Sequence, residues 1–214
     1  PLRDSAEIHI FTFSYTMTVR QQQFYDHGVY FITFTYYNWL QLFEMTNSYD
    51  LVYKWFDYLT GKGSYILGYV IMPNHLHTVV AFRTNGQSIN TRVGNGKRFM
   101  AYGIVDRLTT RGDTETLDLL KKGVTTTDKA RGKLHQVFEP SFDCKLCISD
   151  SMLMQKLDYI HNNPCKDKWR LAEHPADYIH SSAGFYYGVP YNGYAVILPK
   201  DLNYINLAEQ QKIT

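Results

Sequence analysis

Two histidines one residue apart, His75 and His77, flank Leu76 directly after Met72-Pro73-Asn74. Far along the chain, Tyr159 is followed four residues later by Asn163 and then Pro164. Neutral imidazoles ligate divalent metals, and two on one side of a strand can share an ion. A tyrosine hydroxyl becomes a nucleophile once it loses its proton. A side-chain amide can add an oxygen ligand. These residue types are the minimum kit for cutting single-stranded DNA through a covalent phosphotyrosine.

That chemistry needs particular elements beneath it. Tyr65 to Ile71 and His75 to Phe82 are two apolar runs joined by a turn, with Pro73 presetting one dihedral and Asn74 tolerating the next. They read as a hairpin. In a strand, residues i and i+2 point the same way, so His75 and His77 project together and Leu76 enters the opposite layer. Taken alone, the pair also fits two half-exposed strand histidines with no metal. From Ser149 or Asp150 to just before Pro164 the chain reads as a helix, since Pro disfavours helical geometry in the residue ahead of it. Leu153, Leu157 and Ile160 form its packing stripe. Tyr159 lies at the edge of that stripe, with Asn163 at i+4 on its side. An ordinary amphipathic tyrosine before an Asn-Pro stop reads the same way.

The remaining elements complete a frame. Val29 to Tyr37 alternates as a strand. Asn47-Ser48 caps a helix carrying Leu51, Val52, Trp55, Phe56 and Leu59, which Gly61 stops. Ser88 opens a helix towards Leu108, weakened by Gly94 and Gly96. Residues 110–133 read as a mobile polar insert, with a short helix at Thr116 to Lys121. Leu134 to Phe138 reads as the fourth strand. The order is βαββαβ, an α+β, ferredoxin-like (RRM-like) arrangement: a four-stranded antiparallel sheet with two helices on one face. The other face is left for a ligand or for further helices, among them the tyrosine helix. Residues 1–23 are expected to be a loosely attached extension, with a strand-like Ile8 to Phe13 and an alternative start at Met17. The functional domain spans 24–190, and 191–214 form a tail.

Composition narrows the classes. At 214 residues and 44% hydrophobic, the chain can build one good-sized core, and no apolar run reaches the length that spans a bilayer. The N-terminus does not read as a signal peptide, and three cysteines without framework spacing suggest a reducing, cytoplasmic setting. A net charge of +2 is weak support for nucleic-acid binding. The 18 Tyr, 12 Phe and 3 Trp are more suggestive, because unpaired bases stack on aromatic faces, although aromatics also fill strands and cores. Lys97 with Arg98, and Lys166, Lys168 and Arg170, are two small basic clusters suited to phosphates or to plain solvation.

Three stretches resemble the single-tyrosine HUH transposases, and in particular the REP-associated tyrosine transposases. Gly68 to His77 looks like that family's histidine–hydrophobe–histidine strand, Val137 to Asp143 like its aromatic-rich fourth strand, and Lys156 to Pro164 like its nucleophile helix. Asp177 to Ala183 matches the usual tail, and the likeness runs from about Val29 to Tyr187. The resemblance implies that His75, His77 and Asn163 bind Mg²⁺ or Mn²⁺ and that Tyr159 is the nucleophile. Insertion-sequence relatives often carry Gln where Asn163 stands. The product would be a 5′-phosphotyrosine and a free 3′-OH, and a second 3′-OH could reverse the step to join strands. The implied substrate is single-stranded DNA with hairpin structure. The REP-associated members resemble monomers, whereas insertion-sequence relatives act as dimers. His161 or Lys166 would assist proton transfer.

Other readings stay open at this level. Cys144 and Cys147, with Cys165 and His161, offer a zinc set or ordinary semi-buried thiols. The same sheet could be a non-catalytic module that binds nucleic-acid hairpins by stacking. A replication initiator or relaxase shares the chemistry but normally brings a longer chain. A metal-dependent hydrolase would use water in place of the tyrosine.

Overall fold

The computed structural model describes residues 26–166 and 168–209. The expectations for residues 1–23 lie outside them. The element order is β1 (Gly28–Thr35), α1 (Leu42–Met45), α2 (Tyr49–Gly61), β2 (Tyr65–Met72), β3 (His75–Phe82), α3 (Ile89–Thr110), α4 (Thr114–Lys122), α5 (Thr126–Ala130), β4 (Asp143–Leu146), α6 (Asp150–His161) and α7 (Ala183–Tyr186). The four strands form one sheet in the order β2-β3-β1-β4, every neighbouring pair antiparallel. This is the α+β arrangement that the sequence pattern predicts.

Alternation along the strands divides the core in two. Tyr30, Ile32 and Phe34 of β1, with Leu76, Val80 and Phe82 of β3, face α2 and α3 and meet Val52, Trp55, Phe56, Val93 and Met100 there. Phe31, Val70, Val79 and Ala81 face the other way and pack on Leu153, Leu157 and Ile160 of α6. The stripe read from the sequence therefore seats the tyrosine helix on the face opposite α2 and α3. Gly68 makes that seat possible: a Cβ there would lie 2.5 Å from Leu157 Cδ2 and 3.2 Å from Ile160 Cδ1.

Three expectations change. The fourth strand is Asp143–Leu146, and Phe138 contributes only an isolated bridge to Tyr36. Pro140 carries no N–H for a ladder, so the pairing breaks around it and resumes beyond. The insert at 110–133 holds two helices, because Asp113 caps Thr116 and α4 buries Leu117 and Leu120 in the main core. Ser48 precedes α2, yet its hydroxyl accepts from Thr46 rather than from a helix N–H.

The outer edge of β2 is covered. Ile71 N–H donates to His180 O at 2.8 Å, and Ser182 N–H to Tyr69 O at 2.9 Å. Backbone groups at a sheet edge are thereby satisfied by the chain's own C-terminal part. Among the described residues no helix is long and apolar enough to cross a membrane.

Candidate active site

The antiparallel register of β1 and β3 sets Thr33 opposite His77 and Thr35 opposite His75. Both histidines are buried, at 5% and 6% exposure, where the sequence also allowed a half-exposed pair. Their rings stand 4.6 Å apart between centroids and nearly perpendicular.

Each ring is held at its Nδ1. His75 Nδ1 lies 2.6 Å from Asn74 Oδ1. Asn74 Nδ2 donates to Trp39 O at 3.2 Å, which fixes the amide so that its oxygen accepts from His75. That places the His75 proton on Nδ1 and leaves a lone pair on Nε2. His77 Nδ1 lies 2.6 Å from Thr33 Oγ1. Among the described residues no hydrogen bond reaches either Nε2. Burial, with Lys168 and Lys166 nearby, pushes His75 down to about 4. His77 is pushed well below the usual histidine range by burial, by His75 and by Lys166 and Lys156. Two neutral imidazoles, each held through Nδ1 and without a hydrogen bond at Nε2 among the described residues, can ligate a divalent ion through an unprotonated Nε2.

Tyr159 sits beside them. Its ring centroid is 5.2 Å from that of His77 and 6.1 Å from that of Phe31, edge-on in both cases. The residue remains 42% exposed. Helix α6 ends at His161, and Asn163 opens the 3-10 turn Asn163–Cys165. Asn163 is 4% exposed, and no hydrogen bond engages its side-chain amide among the described residues. No group of three or more His, Cys, Asp or Glu side chains forms a metal cluster among the described residues.

Basic groups rim this site. Lys166 Nζ lies 3.9 Å from the Tyr159 ring centroid, and Lys156 Nζ 5.0 Å from that of Phe31. Lys168 Nζ lies over both Trp39 and Trp169. Arg170 follows with a left-handed backbone, φ 46°. The first basic cluster is elsewhere. Lys97, on α3 across the sheet, spends its ammonium on Glu139 O at 2.8 Å and Ser141 O at 3.2 Å, over Phe138 and Phe142. Arg98 is exposed beside Asn95 on the same helix. Neither is part of the rim formed by Lys156, Lys166 and Lys168.

The two proton-transfer candidates also separate. His161 is buried, its Nε2 2.8 Å from Ser182 Oγ and its ring against Tyr186. Burial lowers it to about 4. Lys166 is the one placed over the tyrosine. Cys144 is buried and Cys147 half-buried, and burial raises both thiols.

Sequence reasoning did not assign Thr33, Trp39, Lys156 or Trp169, and read Asn74 only as a turn former. Thr33 follows from strand register, which alternation alone does not set. Lys156 is one turn ahead of Tyr159 on α6, a spacing that was visible.

One solved structure shares this architecture. A REP-associated tyrosine transposase bound to a REP hairpin superposes with a TM-score of 0.56 at 15% identity, covering 92% of this chain and all of the other. A candidate transposase from Deinococcus radiodurans R1 gives a TM-score of 0.36 at 18% identity, covering 67% of this chain and 97% of that one. No protein-family profile matches the sequence, and neither does any curated protein. The chain has the fold of a REP-associated tyrosine transposase.

Proposed function

We propose that this protein is a transposase: a divalent-metal-dependent endonuclease and strand transferase that acts on single-stranded DNA through Tyr159. One observation carries the reading. A half-exposed tyrosine ring lies edge-on against the buried histidine pair, with a lysine ammonium over its face. A recognition module has no need of that combination.

His75, His77 and Asn163 would hold Mg²⁺ or Mn²⁺. When bound, such an ion neutralises charge growing on the scissile phosphate and polarises it. The chain's own groups do the rest. Asn74 and Thr33 hold the two rings through Nδ1 and would thereby orient them as ligands. Tyr159 Oη attacks the phosphorus and gives up its proton as the P–O bond forms. The P–O3′ bond breaks, and the 3′ oxygen leaves as a hydroxyl after taking a proton. The product is a 5′-phosphotyrosine. Attack by another 3′-OH reverses the step and joins strands without external energy. Lys156, Lys166 and Lys168 offset phosphate charge around the site.

A hairpin-bearing strand is the substrate this reading favours, because the structural neighbour is bound to a REP hairpin. The test is incubation with labelled single-stranded hairpin DNAs and Mn²⁺ followed by a denaturing gel. A slow-migrating covalent adduct, lost in Tyr159→Phe and in His77→Ala, is expected. Cleavage that survives Tyr159→Phe would replace the tyrosine with water as nucleophile. Binding without cleavage would favour a hairpin-binding module.

A further inference from the structure

Trp39 and Trp169 come from distant parts of the chain, yet both rings contact His75. The centroid separations from the His75 ring are 6.3 Å for Trp39 and 5.6 Å for Trp169. Lys168 Nζ lies 5.1 Å from the first indole centroid and 5.3 Å from the second. Trp39 is 47% exposed, an unusual position for the largest apolar side chain. Its backbone is also strained: Asn38 and Trp39 both have left-handed dihedrals, at φ 51° and 57°. The surroundings enforce that shape. Asn38 N–H donates to Glu139 Oε1 at 3.0 Å, and Trp39 O accepts from Asn74 Nδ2. Asn74 is the residue that orients His75, so the Trp39 backbone is tied to the same amide that holds His75.

Strain maintained in order to present an exposed indole points to a ligand for that indole. We propose that Trp39 and Trp169 form a stacking platform for one unpaired base next to the scissile phosphate, with Lys168 binding that nucleotide's phosphate. The inference rests on the reading of His75, His77 and Tyr159 as a DNA-cleaving site, and adds the contact that fixes the strand there. Indole faces stack on any base, and the ammonium that covers them is exchangeable for a phosphate contact.

Tryptophan fluorescence tests it. The chain has three tryptophans, and the third, Trp55, is buried. The full-length protein is titrated in EDTA, which stops chemistry, with a randomised-sequence single-stranded DNA pool. An abasic deoxyribose-phosphate oligomer of the same length supplies the same charge without bases. The pool is expected to quench the indoles and bind about 10-fold more tightly than the abasic oligomer. Trp39→Ala and Trp169→Ala should each remove most of that preference, and Trp39→Phe should restore much of it. Lys168→Met should weaken both ligands alike and flatten the salt dependence. Equal binding of pool and abasic oligomer, or a base preference that survives both alanine variants, would overturn the platform. Adduct formation on hairpin DNA is scored separately. An adduct without base preference removes the platform and keeps the nuclease, whereas base preference without any adduct removes the nuclease and keeps a base-binding surface.

Discussion

Thr33 Oγ1 lies 2.6 Å from His77 Nδ1, across the paired strands β1 and β3. The bond fixes the ring of a buried histidine that lies 5.2 Å, centroid to centroid, from the ring of Tyr159. Groups that orient a ligating imidazole typically contribute 10- to 100-fold to metal affinity. Thr33→Val is isosteric and leaves the strand intact, so it should weaken Mn²⁺ binding by roughly that factor, while Thr33→Ser stays close to wild type. Calorimetric titration with Mn²⁺ measures this directly. Equal affinity in Thr33→Val and wild type would mean that sheet packing alone orients His77.

Gly68 governs the seat of the tyrosine helix. A methyl group there would press on Leu157 Cδ2 at 2.5 Å and on Ile160 Cδ1 at 3.2 Å. Forcing extra volume into a packed core costs typically about 1–3 kcal/mol. Because both contacts lie on α6, Gly68→Ala should displace Tyr159 as well as destabilise the protein. The expected signature is adduct formation lowered by at least about 10-fold, since misplacement of about an ångström costs more than that. Pairing it with Leu157→Ala should recover part of the rate. A variant that is less stable but fully active would show that α6 can shift without moving the tyrosine.

The frame was legible because the strands alternate cleanly and the turn at Pro73 and Asn74 is chemically distinctive. His75 to Phe82 matches its expected strand, and Leu153, Leu157 and Ile160 form the stripe that packs on the sheet. The fourth strand was misplaced because Leu134 to Phe138 has the composition of a strand, whereas Pro140 decides where a ladder can run. The insert was underread because Leu117 and Leu120 are too few to show a period without knowing the surface they meet. In the candidate site, residue types alone single out the histidines and the tyrosine as candidates. Their supports were hidden because Thr33, Trp39 and Trp169 acquire meaning only through register and long-range packing.

Charge alone does not tell a phosphate contact from a structural cation, and Lys97 offers a test of the difference. Its ammonium bonds two carbonyls over two aromatic rings, and burial lowers it to about 8. Hydrogen bonds to charged groups are worth about 1.5–3 kcal/mol. Lys97→Met should therefore lower stability in denaturant unfolding by about that amount, with little effect on the salt dependence of DNA binding. Lys166→Met should do the reverse. A lower salt slope in Lys97→Met would return that residue to the DNA interface.

Acid should destabilise this fold through its buried histidines, and His161 allows the effect to be isolated. Its folded value is about 4, depressed by burial from 6.5. Between those values the unfolded chain binds a proton that the folded chain does not. Stability then rises with pH across the window, so it is fully present above about 6.5 and is lost as pH falls towards 4. One pKa unit corresponds to about 1.4 kcal/mol, so His161 alone accounts for at most about 3 kcal/mol. His75, lowered to about 4, and His77 act in the same direction. Denaturant unfolding at pH 7, 6 and 5 should show a falling free energy. His161→Gln, which keeps a partner for Ser182, should reduce that slope by one proton's worth. An unchanged slope in the variant would mean that the folded protein protonates His161 as readily as the unfolded chain does.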